Sequence, residues 1–126
     1  MRLLGPGLLA LFVLLPWRSA LGQGAGPVSR QVYEGWRQYS VHCARCHGQD
    51  VLGNPVTANL LQSAAPGGAV ADEGAFTAVV MQGRLDRGMP GFHQQITAEQ
   101  AAAVFAYVSG RAAGKISAGR PTPADT

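Results

Sequence analysis

The sequence is poor in the features that define most small folds. It has two cysteines, a single lysine, and charged side chains at only 13% of its 126 positions. No segment alternates apolar and polar residues in the manner of a half-buried strand, and no internal repeat is visible. With so few cysteines and no strand pattern, neither a disulfide scaffold nor a β-sheet is expected, and the chain is predicted to be helical.

The N-terminus has the charged, apolar and small-residue order of a secretory signal. Arg2 precedes the apolar run Leu8–Leu15, and Ala20-Leu21-Gly22 offers a cleavage site before Gln23. The apolar segment is shorter than the roughly 20 residues that a spanning helix needs. We therefore expect a signal peptide over residues 1–22, export to the periplasm, and no stable membrane insertion after cleavage.

The mature chain is small and nearly neutral. Removing 22 of 126 residues leaves 104, which is enough for one domain. Because Arg2 and Arg18 leave with the signal, eight of the ten basic residues remain against seven acidic ones. Without a basic stripe there is no case for nucleic acid as a partner. We expect one domain over residues 23–111 and a flexible tail over 112–126 that hugs the surface or frays.

Helix start and stop signals divide the chain into short helices and long loops. Helices are expected over about residues 30–42 behind Ser29, between Asp72 and Gly83, and from Thr97 to a stop at Gly110. Residues 48–71 are rich in Gly, Pro, Ala and Asn, and predict a wrapping loop with one helical turn near Leu60. The pattern indicates an all-α chain of three to four short helices, with too few large apolar side chains to form a dense core alone.

Both cysteines lie in "CARCH", residues 43–47. A disulfide between Cys43 and Cys46 would close a loop too small to add much stability. Two thiols three positions apart at a helix end share a face, so both sulfurs can reach the vinyl groups of one porphyrin. His47 then places an imidazole nitrogen on the iron. The motif predicts one haem c, bound covalently through Cys43 and Cys46 and ligated by His47.

Two other chemistries use the same residue types. Thiol redox catalysis requires a strand before the motif, which the sequence does not indicate. A zinc site would combine Cys43, Cys46 and His47 with either His42 or His93, at an unusual spacing.

The iron's second axial position has several candidates. Met89 lies in the irregular stretch "RGMPGF", where Pro90 stiffens the approach of the thioether. Met81 falls within a predicted helix, where core packing explains a methionine equally well. His42 and His93 are the remaining candidates. We favour Met89, because its irregular segment follows His47 by 42 residues, which is enough chain to cross to the opposite haem face; Met81 or an open site is the alternative. A His/Met pair would raise the reduction potential and fill the coordination sphere, which argues against oxygen or peroxide chemistry.

Neighbouring residues are expected to support the iron ligands. His47 should donate its other ring proton to a carbonyl of the wrapping loop, from Pro55 or from Ala58. The irregular stretch around Met89, residues 83–93, is named the Met89 segment. Its Arg84 and Arg87 side chains either pair with the haem propionates or remain solvated.

In these features the chain resembles the class I cytochromes c. The resemblance covers residues 29 to 110 and rests on a helix before Cys-x-x-Cys-His, a Met-Pro loop, and a C-terminal helix with aromatic residues. It implies an all-α cytochrome c-like fold wrapped around one covalent haem c, with the first and last helices packed against each other.

A narrower resemblance rests on "GWRQYSVHCARCHG" and "FAYVSGRAAGKISAGRP". These stretches are similar to small periplasmic cytochromes associated with quinoprotein (PQQ-dependent) alcohol dehydrogenases, which carry a Gly-Arg-Pro tail like Gly119-Arg120-Pro121. The resemblance implies an electron carrier rather than an enzyme, with such a dehydrogenase as donor and a terminal oxidase or another cytochrome as acceptor. A tethered haem subunit and a haem-based sensor are the alternatives. One departure is Ala58-Asn59-Leu60, since relatives usually have proline at the first of these positions.

Overall fold

The computed structural model describes residues 26–124, so the predicted signal over 1–22 lies outside the described residues. The α-helices within this range are α1 (Arg30–His42), α2 (Ala44–His47), α3 (Leu60–Ser63), α4 (Glu73–Gln82) and α5 (Ala98–Ala112), and short 3₁₀ turns lie at Gln49–Val51 and Leu85–Arg87. No strand forms between residues 26 and 124, and the two isolated bridges pair Val28 with Pro123 and Arg84 with Met89. The all-α prediction is confirmed. The described part of the chain has five α-helices where the sequence predicted three to four, because the single turns α2 and α3 are counted as helices. No helix in this range has the length and apolar character needed to cross a membrane.

The capping residues begin the long helices where the sequence predicts. Ser29 Oγ accepts from the Val32 amide, and Asp72 Oδ1 accepts from the third residue of α4 at 2.9 Å. Thr97 and Gln100 form a reciprocal capping box at the start of α5. Each cap satisfies amides that the first helical turn leaves without a partner.

Gly110 does not end the last helix, contrary to the stop signal inferred from the sequence. The helix continues to Ala112, and Gly110 instead leaves room for the side chain of Ile116. A Cβ at Gly110 would collide with the Ile116 side chain, which is only 6% exposed. The glycine therefore serves packing, because the chain after the helix folds back over it.

The first and last helices pack tightly against each other, as the resemblance implies. A Cβ at Gly35 would collide with the Ala103 carbonyl, so this glycine allows the two backbones to approach closely. Next to this contact the rings of Tyr39 and Tyr107 lie 5.4 Å apart, and both residues are at most 1% exposed. The pair forms the centre of the core and fixes the position of the C-terminal end of α1.

Helix α4 packs on the other side of α5. The rings of Phe76 and Phe105 lie 5.4 Å apart, and Val80 is buried one turn further along α4. This contact sets the direction in which α4 delivers the chain to the Met89 segment.

The chain after α5 lies along the surface. Ile116 is buried, and Val28 pairs with Pro123 beside α1. These contacts hold the described part of the segment, up to residue 124, against the helices. The domain boundary at residue 111 stays a prediction.

Candidate functional site

The two cysteines lie where α1 gives way to α2. Cys43 caps α1, with its amide donating to the Tyr39 carbonyl at 2.9 Å, and its own carbonyl accepts from the amides of Cys46 and His47. Cys43 is half-buried against the core, whereas Cys46 is exposed. Neither thiol is in a disulfide. Both are therefore present as thiols within one tight turn.

The environment of Cys43 does not suit thiol redox catalysis. Burial raises the pKa of its thiol to about 12, and the nearby Cys46 contributes in the same direction. A reactive thiol of a Cys-x-x-Cys enzyme has a lowered pKa, because the thiolate is the nucleophile. The motif also follows a helix and not a strand.

His47 is oriented by a backbone carbonyl of the wrapping loop. Its Nδ1 lies 3.2 Å from the Ala58 carbonyl oxygen. A carbonyl can only accept, so this contact assigns the proton to Nδ1 and leaves the Nε2 lone pair available for a metal. Of the two acceptors considered from the sequence, Ala58 makes this contact. Pro55 does not, because the intervening turn carries Ala58 back to the helix end.

Side chains of the wrapping loop also hold the end of α2. Asn54 and Thr57 both donate to the Cys46 carbonyl, the hydroxyl at 2.8 Å. The Gly53 amide donates to the His47 carbonyl at 2.9 Å. These contacts satisfy carbonyls that a helix end leaves without partners. Sequence reasoning missed them, although short polar residues just after a helix are a general signal for such bonds.

The Met89 segment is closed by backbone hydrogen bonds. Arg84 and Met89 exchange amide–carbonyl bonds of 2.8 and 3.0 Å, and the Phe92 amide donates to the Val80 carbonyl at 2.9 Å. Gly83 and Gly91 allow this segment to lie directly on the end of α4, because a Cβ at Gly91 would stand 2.6 Å from the Met81 carbonyl oxygen. Met89 is thus held in a small loop at a fixed position against α4.

The other candidates for an axial ligand have structural partners. Met81 packs against the hydrophobic core. His93 Nδ1 lies 3.2 Å from the Met81 carbonyl oxygen, and the His42 ring meets the edge of Phe92 at a centroid distance of 6.1 Å. Within residues 26–124, these contacts leave Met89 as the methionine without a core-packing explanation.

The donor set fits a haem c better than a zinc ion. Two free thiols, an imidazole with an available Nε2 and a thioether in a separate loop are the groups that attach and ligate such a haem. Among residues 26–124, no three His, Cys, Asp or Glu side chains are close enough to hold a metal ion between them. Arg84 and Arg87 are exposed, and Arg87 lies 3.9 Å from Asp86.

Comparison with known proteins agrees with this geometry. Residues 30–108 match a family model described as cytochrome c oxidase, cbb3-type, subunit III. The chain belongs to this family of c-type cytochromes. Family membership brings haem c as the cofactor and electron transfer as the general role.

A solved structure supports the same assignment. The c-type cytochrome XoxG from Methylobacterium extorquens AM1 superposes with a TM-score of 0.68 at 25% identity, covering 80% of this chain and 63% of that protein. This cytochrome therefore spans less than two thirds of the length of XoxG. No curated protein sequence matches the chain.

Proposed function

We propose that this cytochrome is an exported one-electron carrier with a single haem c. Cys43 and Cys46 would hold the haem through thioethers, and His47 and Met89 would ligate its iron. The observation that carries this proposal is the Nδ1 contact of His47 with the Ala58 carbonyl, because it leaves Nε2 free beside two unpaired thiols. When bound, the haem supplies an iron that alternates between the ferric and ferrous states.

The protein residues keep the ligand set constant between the two states. The Ala58 carbonyl fixes the tautomer and ring direction of His47. The paired backbone of Arg84 and Met89 holds the thioether segment closed. With His47 and Met89 as protein ligands to the iron, the site would favour a carrier over an oxygen-activating enzyme or a ligand sensor.

Exposed apolar side chains lie close in sequence to the proposed attachment motif and to Met89. Those of the described residues run from 65% exposed for Leu52 to 88% for Val56, and include Val41 and Leu85. Val41 precedes the Cys-x-x-Cys-His motif, Leu52 and Val56 follow it, and Leu85 lies in the Met89 segment. We propose that redox partners dock here through a small, weak interface with little salt dependence. The donor in this proposal is a quinoprotein alcohol dehydrogenase, and the acceptor is a terminal oxidase or another cytochrome.

A tethered haem subunit is the second candidate. It is favoured by the description of the matching family model, which names a subunit of an oxidase. Gel filtration of an unfractionated periplasmic extract separates the two: a carrier elutes at the size of the mature chain, and a subunit elutes with a larger redox enzyme.

The pyridine haemochrome spectrum and the mass of the purified protein test haem attachment directly. We expect a c-type spectrum, a mass of the mature chain plus one haem, and an N-terminus at Gln23. A colourless protein with the mass of the bare chain contradicts the proposal.

The axial ligand is tested by ferric spectra of two methionine variants. Met89→Ala is expected to lose the sulfur-to-iron band, and Met81→Ala is expected to keep it. An unchanged band in Met89→Ala would show that the thioether comes from elsewhere.

A further inference from the structure

The turn that follows the Cys-x-x-Cys-His motif is strained. This attachment loop, residues 48–53, contains two consecutive non-glycine residues with positive φ, Asp50 at 56° and Val51 at 63°. A β-branched residue rarely adopts this conformation, and Val51 is also fully buried. Such strain, about 1–3 kcal/mol per residue, persists only where surrounding contacts impose it.

The contacts that hold this conformation come from α5 and from the chain that follows it. Arg111 Nε donates to the Asp50 carbonyl at 3.0 Å, and Arg111 Nη1 donates to the Ile116 carbonyl at 2.6 Å. The Gly119 amide donates to Asp50 Oδ1 at 2.8 Å. Asp50 is therefore bound through its backbone by α5 and through its side chain by the segment after α5.

That segment, which we name the C-terminal strap (residues 115–124), is itself fixed to the first helix. Arg120 donates to the Tyr33 hydroxyl at 2.7 Å, and its guanidinium lies 5.5 Å from the centroid of the Trp36 ring. Val28 donates to the Thr122 carbonyl and accepts from the Ala124 amide, both at 2.8 Å. The strap thus has anchors on both sides of Gly119.

The attachment loop links these anchors to His47. The Gly53 amide donates to the His47 carbonyl at 2.9 Å, and the Tyr39 hydroxyl donates to the Gly48 carbonyl at 2.7 Å. Asp50 lies between these two bonds. A change at Asp50 is therefore transmitted to the backbone that carries the imidazole.

We propose that the C-terminal strap, acting with Arg111 on Asp50, sets the orientation of His47 by holding the attachment loop in its strained conformation. Arg111, Asp50 and Gly119 are positioning residues in this proposal and do not touch the haem. The inference rests on the proposed function, because it takes His47 as the iron ligand.

The experiment compares variants of the haem-loaded protein that remove one strap contact each. Arg111→Gln removes both guanidinium bonds, and Lys115→Gln, on an exposed residue in the strap, is the charge-matched control. Asp50→Gly removes the acceptor of the Gly119 amide while permitting positive φ, and Asp50→Asn keeps that acceptor. The readouts are hydrogen exchange of the Gly53 amide, ferric EPR g values and reduction potential.

Arg111→Gln loses two hydrogen bonds of a charged group and Asp50→Gly loses one, and even one such loss predicts about tenfold or more faster exchange of the Gly53 amide. The g values and the potential should shift in the same two variants, and Lys115→Gln and Asp50→Asn should match the wild type. The proposal is overturned when exchange, g values and potential stay at wild-type values in Arg111→Gln and Asp50→Gly, even with a lowered Tm.

A chain truncated after Ala118 provides a second test, which does not depend on Arg111→Gln folding. It lacks Gly119, Arg120 and the partners of Val28, and is expected to behave as Asp50→Gly does. Truncation without any change at Gly53 or in the EPR spectrum would also overturn the proposal. Failure of the proposed function is distinguishable, because it appears as a colourless wild-type protein and not as a difference between variants.

Discussion

The two sides of the site, one carrying His47 and the other Met89, are held by different kinds of contact. Besides local bonds, the His47 side is fixed by side chains of both long helices, Tyr39 of α1 and Arg111 of α5. The Met89 side is fixed by backbone bonds, one pair between Arg84 and Met89 and one from Phe92 to Val80 of α4. Opening the Met89 side breaks few local bonds, whereas opening the His47 side also separates α1, α5 and the strap. We therefore expect ligand loss to begin at Met89.

The largest effect should come from removing each proposed iron ligand, His47 and Met89, in turn. His47→Ala is expected to reduce the yield of haem-loaded protein to near background, because the ring is part of the attachment motif. Met89→Ala should retain covalent haem and lose only the sulfur–iron band. The haemochrome yield of both variants checks this. Equal yields would contradict the expectation that His47, and not Met89, is needed for haem attachment.

The backbone character of the Met89 side can be tested at two glycines. Gly83 has φ 76° and ψ −178°, and a Cβ there would lie 2.6 Å from the Pro90 carbonyl carbon. Gly88 also has φ 76°, but a Cβ there would meet open space. We expect Gly83→Ala to cost about 3 kcal/mol and to weaken the sulfur–iron band. Gly88→Ala should cost about 1 kcal/mol and leave the band intact.

Denaturant unfolding measures the free energy of unfolding of each variant, and the ferric spectrum measures the sulfur–iron band. If both variants lost similar free energy, close packing of the Met89 segment on α4 would contribute little to stability.

Alkaline pH should lower the stability of the protein through the tyrosine pair between α1 and α5. Burial raises the pKa of Tyr39 above its usual range and that of Tyr107 to about 12. Unfolding returns both groups to a pKa near 10, so the unfolded chain binds fewer protons above that pH and stability falls as the pH rises. The expected slope is up to about 1.4 kcal/mol per pH unit for each tyrosine. Unfolding curves between pH 9 and 11 measure it, and a flat profile would contradict the burial argument.

The smallest effect should distinguish the two buried hydroxyls at neutral pH. Tyr39 donates to the Gly48 carbonyl, whereas the buried Tyr107 hydroxyl has no hydrogen-bond partner among residues 26–124. Tyr39→Phe should cost about 1 kcal/mol because it leaves that carbonyl unpaired. Tyr107→Phe should be neutral or slightly stabilising. Equal free energies of unfolding for the two variants would show that the bond to Gly48 is not important.

Features encoded by neighbouring residues were predictable from the sequence. The bounds of α1 and α4 follow from Ser29 and from Asp72 and Gly83, because a cap and its helix are adjacent in the chain. The attachment motif is equally local. These signals require no knowledge of which distant segments meet.

Features that depend on distant contacts were not predictable. Gly110 suggested a helix stop because nothing nearby shows that Ile116 folds back over it. The bond of Arg111 to Asp50 joins residues 61 positions apart. The choice of Ala58 over Pro55 depends on the conformation of a turn, which composition alone does not fix. In each case the deciding contact forms only after the chain has folded.

The pairing of Val28 with Pro123 places the entry and the exit of the described chain side by side. Residues 26 and 124 therefore leave the described domain at the same part of its surface. A short connector that joins these two positions directly would close residues 26–124 into a ring, so this domain is suited to backbone cyclisation and to circular permutation.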